Sequence, residues 1–185
     1  MTKFILVRHG KPTYNELQKI GFNGCDINFA PLTAEGILEV KKNIEDEIFE
    51  NSDILISSPY TRTMQTASII ANKYNLDVNV ELALHEWVPD IIGNYISKSQ
   101  MIKNLKIAKR AYQGKTKKKD LPFLYNIEPL ENVKNRGLMV LDKYSNYNKV
   151  IVVTHGMLIN MLTGEKLDTG DYTVLDYEKI KKMAN

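Results

Sequence analysis

The chain has 185 residues, of which 43% are hydrophobic and 25% are charged, which is typical of a single folded domain with a substantial core and excludes a largely disordered chain. The net charge of +3 is too small to indicate a nucleic-acid partner by itself. The apolar run at residues 4–7 is too short for a signal peptide or a membrane span, and a single cysteine excludes a disulfide framework, so the cytoplasm is the expected location.

The first predicted strand covers residues 4–7 and leads directly into Arg8, His9 and Gly10. Ligands of open α/β sheets bind at the carboxyl ends of strands, so this arginine and histidine are candidates for a binding site. The glycine permits a sharp exit from the strand and a close approach of the backbone to a ligand. A strand that simply ends in polar residues is the alternative interpretation.

Residues 11–26 are rich in turn formers and predict a loop. Asn15 could hydrogen-bond a ligand or cap a turn, and the pattern favours neither. Cys25 could be a nucleophile, but a lone cysteine in such a setting more often fills space. A helix with Thr33 as its N-cap is predicted next. Its apolar residues recur at helical spacing: Ile37, Val40, Ile44 and Ile48.

A second short strand is predicted at residues 53–57, and Ser58 with Pro59 predicts the start of a helix with serine as the N-cap. This helix covers residues 59–74. Arg62 lies in its first turn, where the helix dipole disfavours a cation but favours a bound anion, so it is a candidate anion ligand. We expect Arg62 to lie off the buried stripe, which is predicted to comprise Tyr60, Met64, Ala67, Ala71 and Tyr74.

A third strand is predicted at residues 78–80, and His85 and Glu86 follow it. Residues 88–127 show the least regular pattern, apart from a predicted helix that starts near Ser97 or Ser99. Lysines are dense between residues 98 and 119. They form either a solvated helix face and loop or an electrostatic funnel for an anionic substrate. The buried stripe of this helix is predicted to comprise Ile102, Leu105, Ala108 and Tyr112.

The C-terminal third repeats the N-terminal design. A helix predicted over residues 129–145 precedes an apolar strand at 149–154, which ends at His155 and Gly156. A further helix begins at residue 157, and a last strand is predicted at 172–175. Strands alternate with helices throughout, so the predicted class is α/β: a three-layer sandwich with a mostly parallel central sheet and helices on both faces.

All the candidate residues at strand ends should therefore share one rim of the sheet: Arg8, His9, Arg62 and His155. Two guanidinium groups and two imidazoles suit a dianion, for which phosphate is the obvious candidate. A metal site is the rival interpretation. The arginines would repel a cation and no cluster of carboxylates accompanies the histidines, so we expect no metal.

At this point the sequence resembles the histidine phosphatase superfamily, which includes cofactor-dependent phosphoglycerate mutases. The matching residues span 4–160, and none is recognised in 88–127. The block at residues 58–67 is highly specific in combination with the others. The segments that carry the resemblance are Arg8-His9-Gly10 with Asn15, residues 31–36 (PLTAEG), residues 58–67 (SPYTRTMQTA) and residues 153–156 (VTHG).

The resemblance implies a covalent phosphohistidine mechanism. His9 would be the nucleophile, and Arg8, Arg62 and a protonated His155 would bind the phosphoryl oxygens. Asn15 matches a position that helps to hold the phosphoryl group. No metal or other cofactor is implied.

The resemblance also implies that Glu86 is the general acid and base, with an exposed loop glutamate as the alternative interpretation. His85 is adjacent, and Asp90 is close enough in the sequence to be a substitute. The glycines that often follow this glutamate are missing until Gly93, and Lys11 with Pro12 replaces a frequent acidic or amide residue. These departures put the identity of the substrate in doubt rather than the core chemistry.

The expected function is metal-independent hydrolysis of a phosphomonoester in a single domain of residues 1–185, with a helical insertion or lid at about 88–127. A phosphoglycerate mutase-type phosphotransferase is one alternative, and a non-catalytic module that binds anions or nucleic acid is another. We expect a small phosphorylated molecule as the partner, neither nucleic acid nor membrane. The sequence does not indicate the oligomeric state or the natural substrate.

Overall fold

The computed structural model describes residues 2–15, 24–92 and 97–178. The strands are β1 (Lys3–Arg8), β2 (Ile54–Ser57), β3 (Val78–Val80), β4 (Lys149–Thr154) and β5 (Tyr172–Asp176). The α-helices of the described residues are α1 (Ala34–Asn43), α2 (Thr61–Tyr74), α3 (Lys98–Tyr112), α4 (Leu121–Leu124), α5 (Leu130–Lys143) and α6 (Gly156–Thr163). Short 3-10 turns cover Gly24–Phe29, Glu47–Phe49, Leu82–Leu84 and Lys118–Asp120.

The five strands form one sheet in the order β3-β2-β4-β1-β5. The first four run parallel, and β5 pairs antiparallel with β1. Arg8 at the end of β1 is in register with Thr154 at the end of β4, and Ser57 is in register with Val153. The carboxyl ends of the three central strands therefore lie side by side at one edge of the sheet.

Both faces of the sheet are covered. Strand residues alternate between faces, so Phe4 and Leu6 enter one apolar cluster while Ile5 and Val7 enter the other. The first cluster is completed by α5 and α6 and the second by α1 and α2. The predicted α/β three-layer sandwich with a mostly parallel sheet is confirmed.

Two predicted helix starts are confirmed by side-chain caps. The Thr33 hydroxyl oxygen accepts a hydrogen bond from the backbone N–H of Gly36 at the start of α1. The Ser97 hydroxyl oxygen accepts one from Gln100 at the start of α3. Both bonds satisfy N–H groups that have no partner within the helix.

The predicted cap of α2 is wrong. This helix begins at Thr61, its N-cap is Tyr60, and no side chain caps it. The Ser58 hydroxyl instead hydrogen-bonds the ring of His155. The predicted stripe of α2 is correct in part, because Ala67 is buried and Ala71 and Tyr74 pack against the second cluster. Arg62, predicted to lie off this stripe, also faces inward and is only 5% exposed. The buried face of α2 comprises Arg62, Thr63, Thr66, Ala67 and Ile70.

The predicted stripe of α3 is rotated relative to the observed one. Ala108 is buried as expected, together with Ile107, but Ile102 and Tyr112 are largely exposed. Ile107 and Ala108 join the same apolar cluster as α5 and α6. This contact packs the lysine-rich helix against the main core. Across the residues with described structure, no helix is long and apolar enough to cross a membrane.

Candidate active site

The parallel strands deliver two histidines to the same edge of the sheet. His9 follows β1 and His155 follows β4, and their ring centroids lie 5.2 Å apart in an edge-on arrangement. Both side chains are buried, with 4% exposure for His9 and none for His155. Buried polar rings need hydrogen-bond partners, so their neighbours define what each nitrogen can do.

Arg62 lies between the two histidines. Its Nε donates to Nε2 of His9 across 3.1 Å, and its Nη2 donates to Nδ1 of His155 across 3.3 Å. Its Nη1 donates to the carbonyl oxygen of Ile27. The guanidinium group has no acceptor atom, so each ring nitrogen that faces it must present a lone pair.

The remaining ring nitrogens then carry the protons. Nδ1 of His9 lies 2.8 Å from the carbonyl oxygen of Gly10, which can only accept, so Nδ1 is the protonated nitrogen. Nε2 of His155 lies 2.8 Å from the Ser58 hydroxyl and donates to it. His9 therefore holds a lone pair on Nε2, the nitrogen that faces the arginine.

Both histidines are held in the neutral form. Burial, followed by the charge of Arg62, lowers the pKa of His9 to about 3. The same two causes hold the pKa of His155 well below its usual value. A neutral imidazole has a lone pair available for nucleophilic attack, whereas an imidazolium does not.

The side chain of Arg8 is held beside this cluster by the Leu167 carbonyl oxygen, in space that Gly156 leaves free. Its Nη1 donates to the carbonyl oxygen of Leu167 across 2.6 Å. A Cβ atom on Gly156 would lie 3.1 Å from Nε and 3.2 Å from Cζ of Arg8. The glycine after His155 thus leaves room for the guanidinium group at the start of α6. The Nε of Arg8 is buried without a hydrogen-bond partner among the described residues, so it is available to a ligand oxygen.

Gly10 packs the backbone that follows β1 closely against α1 and α2. A Cβ atom on it would lie 2.6 Å from the carbonyl oxygen of Gly36 and 2.9 Å from a methyl group of Val40. Its N–H donates to the Thr66 hydroxyl, which in turn donates to the carbonyl oxygen of Arg62. The backbone beside His9 is therefore tied to the helix that carries Arg62.

Glu86 lies in the segment that follows the 3-10 turn after β3. Its Oε1 accepts a hydrogen bond from the backbone N–H of Trp87, and its Oε2 lies 3.5 Å from the backbone nitrogen of Met157 in the first turn of α6. Burial raises the pKa of this carboxyl, although the nearby charges of Arg62 and Arg8 act in the opposite direction. A raised pKa suits a group that must donate a proton.

Two neighbours of the cluster were not recognised as site residues in the sequence. Ser58 holds the ring of His155 by a hydrogen bond to its Nε2. The ring of Tyr60 packs 5.1 Å from the ring of His155, and the Arg62 guanidinium lies 5.0 Å from its centroid. Both residues belong to the block at 58–67, so their position beside Arg62 was the available signal. Their local patterns instead predict a helix cap for Ser58 and a place on the buried stripe of α2 for Tyr60.

For three other candidates from the sequence, the described residues show no contact with this cluster. Asn15 is exposed, and no contact within the described residues joins its side chain to the histidines or arginines. Asp90 accepts a hydrogen bond from Ile92 in a local turn. Cys25 lies in a 3-10 turn, but its side chain is outside the described part of the structure.

The arrangement can receive a phosphoryl group. It combines an imidazole lone pair, two guanidinium groups and a buried carboxyl with a raised pKa. These are the elements of nucleophilic attack, of charge stabilisation and of proton transfer to a leaving group.

Comparison with known proteins agrees with this chemistry. A family model described as the histidine phosphatase superfamily (branch 1) matches residues 4–178. A Hydrogenobacter thermophilus protein named "Putative phosphoserine phosphatase 2" is 27% identical over 175 residues, which cover 91% of this chain and 82% of that protein.

Solved structures share the fold. Phosphoserine phosphatase of Entamoeba histolytica, solved in complex with 3-phosphoglyceric acid, superposes with a TM-score of 0.66 at 22% identity over 97% of this chain and 92% of that one. A mycobacterial glucosyl-3-phosphoglycerate phosphatase superposes with a TM-score of 0.69 at 17% identity, over 94% and 89% of the two chains. With the family match across almost the whole chain, these findings lead to one conclusion: the chain belongs to branch 1 of the histidine phosphatase superfamily.

Proposed function

We propose that this chain hydrolyses a small phosphomonoester through a covalent phosphohistidine on His9. The observation that carries the proposal is the hydrogen bond between Arg62 Nε and His9 Nε2, which requires a lone pair on that nitrogen. Attack on phosphorus needs such a lone pair beside a group that can stabilise the charge of the phosphoryl oxygens. Arg62 supplies that charge at the nucleophile itself.

In the first step, the phosphoryl group enters between the histidines and the arginines. Nε2 of His9 forms a bond to phosphorus while the bond to the leaving oxygen breaks. Glu86 donates its proton to that oxygen, and burial, which raises the pKa of this carboxyl, favours the protonated form. Arg8, Arg62 and His155 bind the non-bridging oxygens, and Asn15 is proposed to assist them.

In the second step, the Glu86 carboxylate accepts a proton from a water molecule. The water oxygen bonds to phosphorus, the bond to Nε2 breaks, and phosphate leaves with His9 neutral again. His155 is neutral in the structure, so it binds the phosphoryl group as a cation only after the charge of the substrate raises its pKa.

The substrate is proposed to be a small phosphorylated metabolite, and L-phosphoserine is the first compound to test. The names of the Hydrogenobacter and Entamoeba relatives support this choice. We further propose that the chain is one domain in which residues 88–127 form an insertion that selects the substrate. The packing of Ile107, Ala108 and Ile127 against the main core supports the single-domain part of this proposal.

The experiment is to trap the intermediate. The protein is mixed with L-[³²P]phosphoserine, quenched in alkali, in which phosphohistidine survives, and digested. We expect the label on the peptide that contains His9, at single-turnover times, and no label in His9→Ala. Label on another peptide, or turnover without label, would contradict the mechanism. Adding a phosphoglycerate during turnover distinguishes the alternative activity, because a mutase would transfer the label to it instead of to water.

A further inference from the structure

We propose that Arg136 is a positioning residue for Glu86, and this inference rests on the proposed role of Glu86 as the general acid. Arg136 lies in α5, far along the chain from the motifs of the site. Its Nη1 donates to two carbonyl oxygens, those of Ala83 and His85, each across 2.6 Å. The carbonyl group of His85 belongs to the peptide bond that joins His85 to Glu86, so this bond fixes the backbone just before the acid.

Glu128 holds the other side of the same segment. Its Oε2 accepts a hydrogen bond from the backbone N–H of Val88, and its carbonyl oxygen accepts one from the indole N–H of Trp87. Both residues follow Glu86 directly. Arg136 and Glu128 therefore hydrogen-bond the backbone on the two sides of Glu86.

Arg136 and Glu128 also form an ion pair with each other. Nε of Arg136 lies 2.8 Å from Oε1 of Glu128, and Nη2 lies 3.3 Å from Oε2. Both side chains are nearly buried, at 13% and 10% exposure. The fork of a guanidinium group allows one side chain to bind a carboxylate and two carbonyls at once, which a lysine ammonium cannot do in the same geometry.

Within the described part of the chain, the carboxyl of Glu86 is anchored by backbone N–H groups. Oε1 accepts a hydrogen bond from the adjacent backbone N–H of Trp87, and Oε2 has a long contact with Met157. The place of the carboxyl is thus set mainly by the backbone of residues 83–88. A buried ion pair is an inefficient way to stabilise a fold, because both charges lose water. We infer that this ion pair serves to hold Glu86 in place, because a small displacement of a reacting group lowers the reaction rate strongly.

The test compares two substrates with different leaving groups. Phenyl phosphate needs a proton on its leaving oxygen, whereas p-nitrophenyl phosphate needs it much less. The quantity measured is the ratio of kcat/KM for phenyl phosphate to kcat/KM for p-nitrophenyl phosphate, since kcat/KM reports the first phosphoryl transfer. This ratio does not depend on the folded fraction of a variant, because unfolded molecules lower both values equally.

We expect Arg136→Lys to lower this ratio about tenfold. Lys73→Gln is the control, because Lys73 at the end of α2 forms an ion pair with Glu45, outside both the 83–88 segment and the proposed insertion. Its ratio should equal that of the unmodified protein. Where Arg136→Lys yields no folded protein, Glu128→Gln takes its place. A smaller decrease is expected, because the amide nitrogen replaces one of the two acceptor oxygens and the charge is lost, while Arg136 keeps its bonds to the carbonyl oxygens of Ala83 and His85.

Glu86→Gln separates the two ways in which the proposal can fail. If Glu86→Gln lowers the ratio but Arg136→Lys and Glu128→Gln leave it unchanged, Glu86 is the acid and the positioning role of Arg136 is wrong. If Glu86→Gln itself leaves the ratio unchanged, the acid is another group, and both the proposed step and this inference are overturned. An equal decrease in Lys73→Gln would also overturn the inference, since the effect would then be a general loss of packing.

Discussion

Arg62 donates its Nε–H to Nε2 of His9 across 3.1 Å, in the interior of the protein. The bond orients the imidazole and covers its lone pair with a donor at the same time. An incoming phosphoryl group must therefore take over both partners of this bond, with its oxygens on the guanidinium and its phosphorus on the nitrogen. A site built this way fixes the nucleophile before the substrate arrives.

Replacing Arg62 by lysine tests whether this bridge contributes to catalysis. A lysine ammonium keeps the charge but cannot donate in parallel to His9 and His155. We expect kcat/KM for p-nitrophenyl phosphate to fall about a hundredfold in Arg62→Lys, the order found when one preorganised donor is removed from an enzyme. Lys73→Gln, which changes a cation in the last turn of the same helix, should retain full activity. If Arg62→Lys retains activity within about threefold of the unmodified protein, the positive charge alone suffices and the parallel hydrogen bonds are not needed.

Ser58→Ala tests how the ring of His155 is held in place. The Ser58 hydroxyl accepts the Nε2 proton of His155, so its removal leaves that buried proton without a partner and the ring less firmly oriented. We expect kcat to fall about tenfold, the value of roughly one net hydrogen bond. Ser57→Ala is the matched control, because Ser57 is also fully buried but its hydroxyl bonds to the Ser58 carbonyl oxygen. An equal loss of kcat in both variants would show that the hydrogen bond to His155 is not the cause.

The neutral histidines predict how stability depends on pH. The pKa of His155 is well below 6.5 in the folded protein and returns to its ordinary value on unfolding. As pH falls below about 6.5, the unfolded chain therefore takes up a proton that the folded protein does not, and the free energy of unfolding decreases. Above that pH the contribution is fully present.

The measurement is chemical denaturation of the unmodified protein and His155→Gln at pH 7 and pH 5. The loss of unfolding free energy on acidification should be smaller in the variant, by at most about 2 kcal/mol. Carboxyls whose pKa is lowered, such as Asp46 and Asp120, lose their stabilising effect only at lower pH. The same pH dependence in both proteins would mean that His155 is not neutral in the fold.

Activity is expected to be insensitive to chelators. Guanidinium and imidazole groups of the chain surround the proposed phosphoryl site, so no metal ion is needed to neutralise the oxygens. The assay is hydrolysis of p-nitrophenyl phosphate before and after dialysis against EDTA, with metal analysis to verify the removal. A loss of activity that added Mg²⁺ or Zn²⁺ restores would overturn the metal-independent mechanism.

The sequence indicated the edge of the sheet because local patterns determine where a buried strand ends. Apolar runs that stop at Arg8 and at His155 are visible without any tertiary information. The convergence of those ends follows from the geometry of a parallel sheet, which any α/β chain obeys. Fold class and the neighbourhood of the two histidines could therefore be predicted.

Contacts that join distant segments could not be predicted in the same way. Ser58 has the local signature of a helix cap. Its hydroxyl instead hydrogen-bonds the imidazole of His155, which lies 97 positions further along the chain. Arg136 has no motif around it, and its acceptors Ala83 and His85 carry no side-chain signal because they use backbone oxygens. The scarcity of arginine, with four in the chain, was the one available hint.

The neutral imidazoles give the site a further property. Burial and Arg62 keep protons away from His9 and His155 until an opposing charge arrives. A bound phosphate dianion supplies that charge, so His155 should take up a proton from solvent as the phosphate binds. Phosphate binding is then linked to proton uptake, because the bound phosphate raises the pKa of His155. Release of the product returns the proton, and the electrostatic attraction that captured the substrate weakens when the phosphate departs.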